Sequence, residues 1–132
     1  NSFEFDYNFP KEMIQAKTPK LILQPIVENS IMHGFLGKKS HGSLRIRGLQ
    51  KKDKMVITIT DNGCGIPSEE LRRIMAGERR KSYHGGGFGL RNIDERIKLA
   101  FGESYGLRVR SKYGIGTQVS IFLPLDERGE LP

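Results

Sequence analysis

Four clusters of residues in this chain have the types and spacing that chemistry requires. The first is "ENSIMHG", with Glu28, Asn29 and His33 set among apolar residues. On a helix Asn29 and His33 lie one turn apart on the same face, and Pro25 lies one turn before Asn29. An amide oxygen beside a carboxylate suits the shell of Mg²⁺, a hard ion that takes oxygen ligands. A partly exposed polar face would account for the same residues. The second is "TDNGCGIP", where Asp61 closes a strand pattern and enters a turn with Gly63 and Gly65. Asp-Asn-Gly is a turn signal in its own right. The chemical reading is a carboxylate at a pocket rim, where it accepts from an exocyclic amine and so selects adenine over guanine, the glycines letting a flat ligand approach the backbone.

The third cluster is "HGGGFGLRN", in which Gly85, Gly87 and Gly89 precede a helix pattern. A glycine-rich loop entering a helix offers unpaired backbone N–H groups to anions. A flexible glycine hinge has the same spelling. It is not a dinucleotide fingerprint, because no strand immediately precedes it, nor a Walker A loop, because no Gly-Lys-Ser/Thr follows. The fourth is "GIGTQVSIFLP", a turn and strand start carrying Gly114, Gly116 and Thr117.

These clusters need elements to hold them. "FEFDYNF" alternates strictly, as a half-buried strand does. "TPKLILQPIVENSIMHGF" reads as a helix capped by Thr18, bent at Pro25 and stopped at Gly34. "SLRIRGLQ" and "MVITITD" are alternating strands that form a hairpin over "KKDK". Ser68 is placed to cap a short helix that Gly77 ends. "GERRKSYHGGGFG" has no apolar period and reads as a mobile loop. Leu90, Ile93, Ile97 and Ala100-Phe101 form a helical apolar stripe closed by Gly102. "GLRVRSK" and "GTQVSIFLP" are strands around "YGIG", and residues 125–132 read as a frayed tail. Helices and strands mix without regular alternation. The expectation is one α/β (α+β) domain over residues 1–132, a two-layer sandwich with a mixed, largely antiparallel sheet and helices on one face.

Composition narrows the function. At 132 residues and 36% hydrophobic, the chain supports one core, and its short apolar runs cannot span a bilayer. No signal-peptide pattern opens it, and the absence of an initiating Met points to a fragment or processed product. A single cysteine, Cys64, forms no internal disulfide and fits a reducing compartment. The net charge of +7 suits a polyanion or a phosphate-rich small molecule as well as simple solubility. The basic residues fall in short clusters without interleaved aromatics, which disfavours nucleic acid as the partner.

Taken in order, an Asn-bearing helix, strand-DNGxG, a GxGxGL loop-helix and a GxGT-strand resemble the Bergerat ATP-binding fold. That superfamily takes in gyrase-type topoisomerases, heat-shock chaperone ATPases, histidine kinases and MutL. "LILQPIVENSIMHGF" and "GFGLRNIDERIKLAFG" are similar to the sensor histidine kinases of the YesM/LytS type. The resemblance runs from the first strand to about Pro124. It implies ATP and Mg²⁺ as cofactors, with Asn29 as the metal ligand. By the same resemblance Asp61 reads adenine beside Gly63, Gly65 and Ile66, and Thr117 helps orient the base. Gly85, Gly87, Phe88, Gly89 and Leu90 border the phosphates, residues 66–89 form an ATP lid, and Arg91 and the basic 79–81 cluster are candidates for phosphate contacts. Glu28 and His33 are candidate catalytic residues, Glu28 to activate an acceptor imidazole and His33 to reach a phosphate or to make a structural hydrogen bond.

Two departures from the pattern carry information. Many histidine kinases have a basic residue three positions after the metal-binding Asn, where this chain has Met32. Hydrolysing members have a Glu one turn before it, where this chain has Pro25. Proline cannot serve as a base for water, so the resemblance implies transfer to a protein acceptor. It also weighs against the anti-sigma-factor serine kinases, which keep that Glu. None of His33, His41 and His84 sits in an "NPHFLFN"-like setting, so the acceptor is expected on an upstream dimerisation helix. A response regulator would receive the phosphoryl group next. The fragment is expected to be soluble and monomeric, as the cytoplasmic domain of a bacterial membrane-bound homodimeric sensor. A basic binding module with a degenerate pocket is the non-enzyme alternative.

Overall fold

Alternating apolar residues build the sheet that holds the site. The computed structural model describes residues 3–8, 42–51, 53–77 and 87–125. Among these the elements are β1 (Phe3–Asn8), β2 (Gly42–Lys51), β3 (Lys54–Asp61), α1 (Ser68–Ala76), α2 (Gly87–Phe101), β4 (Gly106–Lys112) and β5 (Gly116–Pro124). The strands form one sheet in the order β1-β2-β3-β5-β4. Only the β1–β2 pair is parallel, and the other three pairs are antiparallel. The mixed, largely antiparallel α/β layer expected from the sequence is therefore present. The helix expected over residues 18–35 lies outside the described residues, and so do Glu28, Asn29 and His33.

The register explains the core. Ile46, Ile59, Val119 and Val109 stand side by side across β2, β3, β5 and β4. One row further along, Ile57, Ile121 and Leu107 do the same. Side chains in register share a sheet face, so these rows form an apolar floor. Met55, Ile57, Ile121 and Leu123 have no measurable exposure. The α2 stripe covers the floor through Leu90, Ile93 and Ile97, all buried. Burying such a side chain contributes roughly 1.5–3 kcal/mol. Ala100, expected on that stripe, is exposed, because the helix turns it away from the sheet.

Local chemistry ties α2 to β4. Asp94 Oδ1 accepts from the Leu107 N–H (2.8 Å) and from Lys98 Nζ (2.7 Å), while Lys98 Nζ also donates to the Tyr105 carbonyl (2.9 Å). The turn after α2 is thereby fastened to the helix that precedes it. Leu125, assigned to a frayed tail by the sequence, is instead buried, and its N–H donates to the Asp53 carbonyl at 2.7 Å. Ser68 also differs from expectation. Pro67 occupies the cap position of α1, with φ −57° and ψ 142° and no side-chain cap bond, and Ser68 is the first helical residue. Proline's fixed φ suits the extended entry, and its carbonyl accepts the Leu71 N–H at 2.9 Å to start the helix. Gly77 ends α1 in the left-handed conformation at φ 83°.

Candidate functional site

The apolar rows end in a polar one. Asp61 on β3 is in register with Thr117 on β5, and Thr117 with Ser111 on β4. These three residues extend the face that carries Ile59, Val119 and Val109. The same alternation that fills the core thus delivers a carboxylate and two hydroxyls at its rim.

Asp61 is buried, at 8% exposure, and is the one buried polar or charged residue among those described. Its Oδ1 accepts the Gly63 N–H at 2.9 Å and the Thr117 N–H at 3.2 Å. Two backbone donors on one oxygen fix the plane of the carboxylate and offset part of the cost of burying it. Beside it, Asn62 exchanges hydrogen bonds with Ser43. Its side-chain oxygen accepts the Ser43 N–H at 2.7 Å and its own N–H donates to the Ser43 carbonyl at 3.3 Å. The start of the glycine turn is therefore anchored on both sides, to β2 and to β5.

Two glycines serve this packing. A Cβ on Gly65, at φ 73°, would stand 2.1 Å from the Lys112 carbonyl oxygen. The sequence suggests that Gly65 is small for a ligand's sake, whereas the bare face of Gly65 is covered by the β4–β5 turn. Gly114 reinforces that contact by donating its N–H to the Cys64 carbonyl at 2.6 Å. A Cβ on Gly116, at φ 152°, would stand 2.1 Å from the Asp61 carbonyl oxygen. The "DNGCGI" and "YGIGT" segments, about fifty residues apart in sequence, form one interlocked unit.

The comparisons with known proteins bear on this unit. The sequence profile of the histidine kinase-, DNA gyrase B- and HSP90-like ATPases matches residues 15–127. The chain belongs to this ATPase family. The domain is 37% identical over 121 residues to the sensor histidine kinase YesM of Bacillus subtilis, covering 92% of this chain and 19% of YesM. It is 33% identical over 124 residues to the sensor protein LytS of Staphylococcus epidermidis, covering 94% of this chain and 21% of LytS. The domain thus spans about a fifth of the length of these relatives. Among solved structures, the catalytic domain of histidine kinase ThkA superposes with a TM-score of 0.69 at 17% identity, over 97% of this chain and 80% of that one. The histidine kinase domain of the Erythrobacter litoralis EL346 blue-light activated kinase gives 0.65 at 19%, over 98% of this chain and 54% of that one. At such identities these structures speak to the fold, which is that of histidine kinase catalytic domains.

Within the ATPase domain, the third glycine cluster is partly helical. α2 begins at Gly87, so Gly87, Phe88 and Gly89 form its first turn instead of a loop before it. Glycine tolerates helical angles, and the first N–H groups of a helix have no intrahelical partners to lose. The N–H groups of a helix's first turn, at the positive end of its dipole, favour anions. Gly85 and the 79–81 basic cluster lie outside the described residues.

Leu90, assigned to the ligand by resemblance, is buried in the apolar core at 2% exposure. Arg91 reaches back to α1. Its Nη1 donates to the Met75 carbonyl at 3.0 Å, and its Nη2 pairs with Glu95 at 2.6 Å. The guanidinium therefore caps the C-terminal end of α1, where a cation offsets unpaired carbonyls.

Ser111 is the residue that sequence reasoning passed over. The signal was present: Leu107, Val109 and Ser111 share the inward parity of β4, while Arg108, Arg110 and Lys112 point outward and are exposed. A hydroxyl at an inward position needs partners. Ser111 Oγ has three, namely the Ile66 N–H (2.7 Å), the Gly116 carbonyl (3.1 Å) and the Thr117 hydroxyl (2.7 Å).

Proposed function

We propose that this domain binds Mg-ATP and passes the γ-phosphoryl group to a histidine on an upstream dimerisation helix of the same kinase. The observation that carries the reading is the buried Asp61 carboxylate, held by the Gly63 and Thr117 N–H groups where two glycine segments interlock. A fixed acceptor of this kind suits the exocyclic amine of adenine, which guanine lacks at that position. Thr117, adjacent on the same face, offers a hydroxyl to the ring. The first-turn N–H groups of α2 would meet the phosphates, with residues 66–89 as the lid.

Asn29 would hold Mg²⁺, which neutralises phosphate charge when bound. Asn29 lies outside the described residues, and no group of three or more His, Cys, Asp or Glu suited to a metal occurs among those described. In the transfer itself, the bond from the γ-phosphorus to the bridging oxygen of ADP breaks. A bond to the acceptor imidazole nitrogen forms, and the imidazole gives up its N–H proton. Catalysis of this reaction is mostly positioning and charge neutralisation. Glu28 is the candidate to receive the imidazole proton, and His33 a candidate to reach a phosphate.

Pro25, in the place of a hydrolytic Glu, supports transfer to protein over hydrolysis. The name of YesM, a sensor histidine kinase, supports histidine as the acceptor. On this reading the parent is a membrane-bound homodimer whose kinase domain faces the cytoplasm and whose phosphohistidine serves a response regulator. Among the described residues no helix is long and apolar enough to cross a membrane.

The test is titration with ATP and Mg²⁺, then incubation of labelled ATP with a separately prepared acceptor-helix domain. The expected result is saturable ATP binding and acid-labile phosphate on the acceptor, with none on this chain alone. Absence of binding at millimolar ATP would overturn the nucleotide reading. Acid-stable phosphoserine on an added anti-sigma-type substrate would move the domain to the serine kinases.

A further inference from the structure

Ser111 sits where three parts of the site meet, and its hydroxyl cannot serve them all in the same way. A hydroxyl has one proton and two acceptor lone pairs. The Ile66 N–H is a donor, so it occupies one lone pair of Ser111 Oγ. Two contacts then compete for the single proton, the Gly116 carbonyl and the Thr117 hydroxyl oxygen. The Gly116 carbonyl can only accept. When Ser111 donates to it, the Thr117 hydroxyl must donate to Ser111, and Thr117 offers a ligand lone pairs only. When Ser111 donates to Thr117, the Thr117 proton is released toward the ligand. The polarity that Thr117 presents is thus coupled to the proton of Ser111, at a contact of 2.7 Å.

We infer that Ser111 is a positioning residue for base recognition: it orients the Thr117 hydroxyl and holds the Ile66 backbone against the base-binding end of the pocket. This rests on reading the site as an ATP pocket. Adenine presents an amine donor and a ring-nitrogen acceptor along its pairing edge, whereas guanine presents a carbonyl acceptor and a ring N–H donor. A carboxylate beside a hydroxyl of controlled polarity distinguishes the two edges. A hydroxyl free to rotate serves either edge and discriminates less. Ser111 acts through Thr117 and Ile66 and itself needs no contact with nucleotide. Its place on β4, in register with Thr117, gives it a rigid base, since β4 is fastened to α2 through Asp94.

The test compares the 132-residue chain with Ser111→Ala, Ser111→Cys and Ser111→Thr, measuring Kd for ATP and GTP by calorimetry. Ser111→Ala is expected to weaken ATP about tenfold, a loss on the scale of one or two buried hydrogen bonds. The loss for GTP should be no more than about threefold, so the ATP preference narrows. Ser111→Cys replaces the hydroxyl with a somewhat larger thiol that hydrogen-bonds weakly, and should show the same narrowing if Ser111→Ala fails to fold. Ser111→Thr retains the hydroxyl and should restore both affinity and preference. Amide exchange at Ile66 should quicken in Ser111→Ala and Ser111→Cys and stay slow in Ser111→Thr. Equal losses for ATP and GTP would overturn the inference in favour of a merely structural serine. So would unchanged ATP affinity in Ser111→Ala where Asp61→Asn, run alongside, does weaken binding. A wild-type chain that binds neither nucleotide would overturn the pocket itself, and this inference with it.

Discussion

Gly116 lies so close to Asp61 that a Cβ on the glycine would stand 2.1 Å from the Asp61 carbonyl oxygen. The "YGIGT" segment is therefore glycine-bearing partly because the "DNGCGI" segment presses on it, independently of any ligand. Gly116→Ala should destabilise the fold by roughly 2 kcal/mol or more, since backbone has to move and φ 152° is unfavourable for Ala. Chemical denaturation checks this. A variant as stable as wild type would mean that the strand ends separate without cost.

Asp61→Asn isolates the charge. The Asn side-chain oxygen can still accept from Gly63 and Thr117, so the turn keeps its shape. The expected loss in ATP affinity exceeds tenfold, about 1.4 kcal/mol. Saturating ATP should also protect wild type far more than the variant against heat, because a ligand at a hundred times its Kd adds about 2.7 kcal/mol. Unchanged affinity would remove adenine from Asp61.

Arg91→Ala tests a strut against a phosphate contact. In the structure the guanidinium is engaged by the Met75 carbonyl and Glu95. The Glu95 pair is partly exposed and contributes little. Loss of the carbonyl contact should cost about 1 kcal/mol of stability. ATP and adenosine should then weaken by similar, small factors. A tenfold loss confined to ATP would assign Arg91 to the phosphates.

Ile57→Ala tests the floor beneath the site. Ile57 has no measurable exposure and lies in the middle of β3, between β2 and β5. Truncation should cost roughly 2–5 kcal/mol. A loss under about 1 kcal/mol, read from the denaturation midpoint, would mean that the rows repack around the gap.

Much of this was legible in the sequence. Strict alternation in "MVITITD" and "GTQVSIFLP" marked β3 and β5, because a sheet with one buried face imposes a period of two. The spacing of Leu90, Ile93 and Ile97 marked the buried face of α2 for the corresponding helical reason. The glycine clusters and Asp61 were legible as motifs. What alternation does not encode is register. Whether Asp61 stands opposite Thr117 or two residues away is set by pairing between segments distant in the chain. The pairing of Ser111 with Thr117 is hidden for that reason, and so is the β4–β5 turn that lies against Gly65. Arg91, a candidate for phosphate contact by its place just after the lid, has a carbonyl partner on α1 sixteen residues earlier.

By itself, then, the sequence determined the strands and helices of the described residues, the family and the residue types available for nucleotide chemistry, since these follow from local periodicity and ordered motifs. The tertiary structure decided which of those residues share a face. Asp61, Thr117 and Ser111 become one row because three antiparallel strands pair in a single register, and side chains in register point the same way. That register brings a buried carboxylate and two hydroxyls onto one surface, the surface proposed to read a base.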